Sequence, residues 1–170
     1  GSATGGFIAD FDQRLSGIAK SAGISLGALS GLGAGLEEMG ARVESSSTAI
    51  QKLIISIASD IPAATKIAGL TVEDFSKLGV KSFDELFKKD PTEALLRYSQ
   101  GLVKNKASFS EVTASLKDAV EEGARTIETI TKLGTSADYL RGRIDLGKKS
   151  IQESSAITAA FTLKNETFGA

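Results

Sequence analysis

Apolar residues recur along this chain every three or four positions and almost nowhere at every second one, so the repeat is that of a helix and not of a strand. Phe7, Phe11, Leu15 and Ile18 share one apolar face and predict a helix over 7–22, ended at Gly23. "LGALSGLGAGLEEM" predicts a second over 26–39, with Ser25 as N-cap and Gly40 as the stop. Ile50, Leu53, Ile54, Ile57 and Ala58 stripe a third over about 48–59, entered through Ser45, Ser46 and Ser47. The expected fold is all-α, a compact bundle of about nine short to medium helices.

The helix starts downstream are written in capping residues. Pro62 opens a short helix that stops near Gly69. Thr71 with Asp74, and Ser82 with Glu85, read as capping boxes for helices over 72–78 and 83–89. In "DPTEALLRYSQGL", Asp90 is the N-cap, Pro91 the first helical residue and Glu93 the residue that reaches back to the cap, for a helix to about Val103. "KNKASFS" at 104–110 is polar and marks a soft seam within one unit. Ser108 or Ser110 is expected to cap a helix through Val120. Gly123 is read as a break before 124–133, where Ile127, Ile130 and Leu133 face one side. Thr135 with Asp138 caps a helix over 136–150, and Ser154 and Ser155 separate it from a last helix over 156–167. Residues 7–168 thus read as a single helical domain. Gly1-Ser2 has the look of a tag remnant, residues 1–6 are expected to be disordered, and the chain reads as a piece of something longer.

Composition narrows the chemistry. The 170 residues are 41% hydrophobic and 24% charged, which suits a folded core. A net charge of −1 gives no basic surplus for gripping nucleic-acid phosphates. Without cysteine or histidine there is no disulfide, no zinc site built on those ligands and no Ser-His or Cys-His pair.

Two stretches look like phosphate loops and fail on context. Gly31 and Gly33 begin a G-x-G-x-x-G pattern whose third glycine is Leu36, with no strand before it. Gly142, Gly147 and Lys148 match G-x-x-x-x-G-K, but Lys149 stands where the magnesium-binding hydroxyl belongs, and "TSADYLR" ahead of it reads as helix. The pairs Glu37-Glu38, Glu73-Asp74 and Glu121-Glu122 read as solvated charges. So does the basic cluster Arg141, Arg143, Lys148 and Lys149. Between Lys20 and Glu37 lie 16 uncharged residues, short of the ~20 a membrane span needs.

What remains is the glycine series itself. Gly23 falls outside the helix, leaving Gly27, Gly31 and Gly35 within it. Steps of four advance ~400°, so the three form one slanted stripe without side chains. Each glycine costs roughly 1 kcal/mol against alanine, which close packing by a neighbouring helix must offset. These helix-contact glycines are the candidate site; no residue is assigned to catalysis, a cofactor or a metal.

The order of the segments carries a resemblance. "LSGIAKSAGIS" at 15–25, "LGALSGLGAGLEEMGARVESSSTAIQKLI" at 26–54, "DPTEALLRYSQGL" at 90–102, "GARTIETITKL" at 123–133 and "SAITAAFTLKNETF" at 155–168 follow one another. In this order the chain, over about 7–168, resembles the core region of phage tail tape measure proteins, a family of phage and prophage minor tail proteins. Extra residues around 104–117 depart from the usual pattern. The resemblance implies a non-enzymatic structural role in tail assembly and length determination, without a cofactor, in a virion tail assembled in the bacterial cytoplasm. It implies as partners other tape measure chains, tail tube or tail tip proteins, or a chaperone, with no specific nucleic acid and no small-molecule substrate. Other classes remain open: a membrane-active module for DNA entry, inserting through "GISLGALSGLGAGL", a helical protein–protein interaction domain, and a cell-wall hydrolase using paired carboxylates.

Overall fold

The structure, a computed structural model, describes the backbone of residues 5–116 and 120–168, and side chains as far as Ser154. The helices are α1 (Gly5–Ala22), α2 (Leu26–Glu38), α3 (Val43–Ser59), α4 (Ile61–Ala68), α5 (Val72–Leu78), α6 (Phe83–Lys89), α7 (Pro91–Lys104), α8 (Lys106–Thr113), α9 (Val120–Thr135) and α10 (Ala137–Phe168). A 3-10 turn, Ala114–Leu116, follows α8. No strand occurs among the described residues, as the helical repeat requires.

Four helix junctions consist of one residue: Asp60, Asp90, Asn105 and Ser136. Asp60 closes α3 through its N–H to the Ile57 carbonyl and opens α4 through its carboxylate, which accepts from the Ala63 N–H at 3.1 Å. Asp90 ends α6 on the Leu86 carbonyl and caps α7 at the Glu93 N–H. Asn105 does the same between α7 and α8, accepting from the Ser108 N–H. Thr71 and Asp74 form the expected capping box, with reciprocal bonds of 3.1 and 2.9 Å. Gly69 and Gly79 leave their helices at φ 60° and 70°, the left-handed conformation that glycine adopts without a Cβ penalty.

Several expected boundaries move. Gly5 and Gly6, expected to be disordered, already belong to α1; residues 1–4 lie outside the described set. Ser45, Ser46 and Ser47 do not precede α3 but are buried in its first turns, and Ser47 Oγ donates back to the Val43 carbonyl at 2.8 Å. The Ser45 and Ser47 hydroxyls bond backbone carbonyls at the start of their own helix and need no outside partner, whereas Ser46 Oγ is buried without one. The Ser108/Ser110 start belongs instead to Asn105, and the helix expected to reach Val120 ends at Thr113. Gly123 does not break α9, because its backbone ladder continues through the residue. Thr135 is not a cap: its hydroxyl donates to the Thr131 carbonyl inside α9. Ser154 and Ser155 do not interrupt α10, which is continuous through them. In "SFDE", Ser82 caps as expected, but Glu85 accepts from the Lys81 N–H, one residue earlier than a capping box places it.

The core is shared among helices that cross one another. Phe11 and Leu15 of α1, Leu32 and Leu36 of α2, and Ile50, Leu53 and Ile57 of α3 are fully enclosed. Phe83 and Leu86 of α6, Leu95 and Tyr98 of α7, and Ile130 and Leu133 of α9 extend the same cluster. In α3 the stripe stops one residue short of expectation, with Ala58 exposed. α2 lies between α1 and α10, while α9 packs on both α3 and α7.

One polar contact sits awkwardly beside this core. Asp12 of α1 accepts from Ser30 Oγ of α2 at 2.6 Å, and its second oxygen is buried without a partner. Burial pushes the carboxyl above its ordinary value, and the Ser30 bond offsets only part of that. A carboxyl raised in the fold favours folding at low pH and loses that advantage as pH rises through its folded pKa. Asp12→Asn is therefore expected to raise the melting temperature at neutral pH, the gain fading as pH falls toward the ordinary carboxylate value of 3.8. Melting curves across that range check it.

Candidate functional site

The glycine stripe meets α10, and the meeting is backbone on backbone. A Cβ built on Gly31 would collide with the Arg143 carbonyl oxygen and lie 2.9 Å from Ile144 Cα. One on Gly27 would lie 2.8 Å from the Gly147 carbonyl oxygen and 3.0 Å from Lys148 Cα. Gly35 differs in kind: its neighbours are side chains, Leu140 Cδ2 at 2.7 Å and the Arg143 stem. The approach is mutual, since a Cβ on Gly147 would collide with the Gly27 carbonyl oxygen and lie 3.0 Å from Gly31 Cα. Helices with ordinary side chains sit 8–10 Å apart. Glycine on both sides removes the side chains that set that spacing.

This assigns the glycines of both phosphate-loop lookalikes. Gly33, off the stripe, faces α1, where its Cβ would fall 2.6 Å from Phe11 Cδ1. Gly147 of "GRIDLGK" is the counterpart of the α2 stripe, and Gly142 of the same motif has nothing within 4 Å of its Cβ position. Leu29, Leu32 and Leu36 are buried beside the stripe, whereas Leu26 is 59% exposed. "GALSGLGAGL" is buried between α1 and α10. Among the described residues no helix is long and apolar enough to cross one.

Charges expected to be solvated tie α10 to its neighbours. Arg141 donates two parallel hydrogen bonds to Glu93 of α7, at 2.7 and 2.8 Å. Arg97, one turn along α7, reaches the same carboxylate at 3.0 Å. Arg143 donates to Glu38 of α2 at 2.6 Å, and the Tyr139 hydroxyl donates to the other Glu38 oxygen. Lys148 approaches Asp90 at 3.8 Å. Lys132 of α9 donates to the Met39 carbonyl at 3.0 Å, placing a cation at the C-terminal end of α2, where the helix dipole favours one. The seam is thus backbone on backbone at its glycine centre and pinned by ion pairs at its edges. Glu93 does not cap α7 because the Asp90 N–H is already committed to the Leu86 carbonyl, and two guanidiniums outcompete a neutral amide.

Burial pushes the Glu93 carboxyl up, but hydrogen bonds and charge from Arg141 and Arg97 outweigh it and hold the group below its ordinary value of 4.5. A lowered carboxyl stabilises the fold above its unfolded pKa and stops doing so as pH falls through the folded one. Glu93→Gln is expected to cost about 2 kcal/mol at neutral pH, less than for a fully buried pair because both arginines keep some solvent. The deficit should close at an acid pH below the lowered folded value. Urea titrations of both proteins at the two pH values measure it.

Two clefts open near the seam. One of about 220 Å³ runs along it between Ser30, Ala34, Leu146 and Ile151. The other, about 140 Å³, lies where the α2–α3 turn meets α9 and is lined by Arg42, Arg125, Lys132 and Glu128. Among the described residues no group of three or more acidic side chains is placed to hold a metal ion. Compared with known protein families, curated proteins and solved structures, the chain matches none.

Sequence reasoning found the α2 half of the seam from its spacing alone. It missed Gly147, because one glycine on a charged helix carries no periodic signal. It also missed Gly101 of α7, whose Cβ would collide with the Ile67 carbonyl oxygen of α4, and Gly134 of α9, whose Cβ would fall 2.5 Å from the Ser99 carbonyl oxygen.

Proposed function

We propose that this chain is a structural module of a phage tail tape measure protein, acting in tail assembly and length determination through helix packing and self-association. The observation that carries the reading is the serial order of the five resembling segments, the strongest being the glycine-rich helix and the serine-rich helix after it. Their use as packing surfaces is compatible with a scaffold role: the glycines of "GALSGLGAG" are occupied by neighbouring helices, and the arginines of "YLRGR" are paired with carboxylates. Tail tube, tail tip and chaperone proteins are the partners the reading proposes, in a virion tail.

The reading is tested on particles induced from the source bacterium. Antibody raised against this chain should label tails in electron micrographs, and an in-frame deletion of its coding region should shorten or abolish them. Tails that carry no label and keep their length after the deletion overturn it.

A further inference from the structure

The smaller of the two clefts has a charge pattern that the fold leaves unbalanced. Arg42, Ser45, Arg125, Glu128, Thr129 and Lys132 line about 140 Å³ between the α2–α3 turn and α9. Arg125, Thr129 and Lys132 follow at steps of four and three, so they share one face of α9. Arg42 joins them from the turn, and Ser45 from the first turn of α3. Lys132 is partly committed: its Nζ donates to the Met39 carbonyl at 3.0 Å and lies 3.5 Å from Glu128. Glu128 is the one carboxylate among these lining residues, and its side chain is 67% exposed. Glu44, beside Ser45 in the chain, is turned toward Arg14 of α1 at 3.9 Å. Arg42 and Arg125 form no ion pair among the described residues.

The backbone adds to the imbalance. From α2 to α8, every helix except α3 receives a side-chain cap, from Ser25, Asp60, Thr71, Ser82, Asp90 and Asn105 in turn. α3 has Arg42 at that position and no side-chain cap. Ser45 Oγ does not reach the free amides, because it donates to the Arg42 carbonyl at 3.3 Å. A guanidinium at the positive end of a helix dipole has the unfavourable sign. The opposite pole nearby, the carbonyl end of α2, is the one that Lys132 covers.

We propose that this cleft binds a phosphate-type oxyanion, either free phosphate or the terminal group of a small phosphate ester. The cleft and its three cations carry the assignment, and the uncapped end of α3 adds to it. Two unpaired guanidiniums present forked donors that match phosphate oxygens, and Lys132 keeps a donor to spare. A volume of about 140 Å³ is well below the ~300 Å³ at which sites for whole small molecules begin, so one anionic group enters and the rest of an ester stays outside. Once bound, the anion would tie the α2–α3 turn to α9. The proposal goes beyond the tail reading and does not depend on it.

Inorganic phosphate is titrated into the protein at constant ionic strength, with chloride as the balancing salt, and followed by backbone and side-chain NMR. Saturable shifts at residues 42–45, Arg125 and Lys132, with a Kd of about 1 mM or tighter, are the expected result. Arg42→Gln and Arg125→Gln should each weaken binding about ten-fold. Lys149→Gln, which removes an exposed cation outside the cleft, should leave it unchanged. Thermal melts separate binding from structure. Without phosphate, Arg42→Gln should melt at or above the parent temperature, because it removes a like charge from the helix end. With phosphate, the parent should rise and this variant should rise less. If Arg125→Gln fails to fold, the Arg42 variant, altered at an exposed turn, still decides the matter. Glycerol phosphate distinguishes the two sources: binding of both ligands assigns the cleft to a phosphate carried on a small molecule, and binding of phosphate alone assigns it to the free ion. Shifts that chloride reproduces, shifts that never saturate and spread over the surface lysines, or arginine variants that bind as the parent does each overturn the proposal. Labelled tails together with a chain that binds no phosphate would overturn it and leave the tail reading standing.

Discussion

Gly31→Leu is expected to prevent α10 from docking on α2 and to cost more than about 4 kcal/mol, at the extreme of single-substitution effects. The cost comes from what stands opposite. The new Cβ would collide with the Arg143 carbonyl oxygen and crowd the Ile144 backbone, and neither can rotate aside as a side chain can. α10 would have to back away as a body. The Glu38–Arg143 pair at 2.6 Å and the Glu93–Arg141 pair at 2.7 Å hold it in place, so relief at the glycine strains the edges. Gly142→Ala, on α10 beside Arg143, is the contrast. Its Cβ meets nothing, and the helix should gain up to about 1 kcal/mol from the better helix former. Thermal melts of the two proteins check both signs; a Gly31→Leu melt at the parent temperature refutes the close-packed seam.

Gly101→Ala is expected to be the second most damaging of these changes, at about 2–4 kcal/mol for a single added methyl. Gly101 sits where α7 crosses the end of α4, with Ile67 C at 2.7 Å and Ala68 Cα at 3.1 Å from its Cβ position. α4 is two turns long and contributes one fully buried side chain, Ala64, so little anchors it apart from this crossing. Amide exchange should therefore quicken in residues 61–68 before it does in α2 or α3. Unchanged exchange there, with an unchanged unfolding midpoint, would contradict the crossing.

What the chain discloses without its structure follows from how local each signal is. The helical class, the α3 stripe and the caps at Ser25, Thr71 and Asp90 depend on neighbours within one turn, and each has its expected place in the structure. The misplaced boundaries share a cause. Ser45, Ser108, Thr135 and Ser154 belong to residue types that both cap helices and bond back into them, and residue type alone does not choose between the two roles. The charged residues show the same limit. Arg141, Arg143 and Glu38 have the composition of a solvated face; they lose that character because α2 and α7 lie beside α10. Gly27 and Gly31 were readable as a contact, but its other half, Gly147, lies more than a hundred residues along the chain.

The single-residue junctions have a mechanical consequence. Asp60, Asp90 and Asn105 each end one helix and begin the next, so no slack is stored between α3 and α4, α6 and α7, or α7 and α8. A pull along the chain cannot first straighten a loop there. It must break a backbone hydrogen bond that closes one helix and a side-chain hydrogen bond that opens the next, both on the same residue. These helices should yield to tension in linked pairs. A single glycine inserted at Asp90 should loosen α6 and α7 together, since every residue beyond it turns by about 100° relative to the helix before.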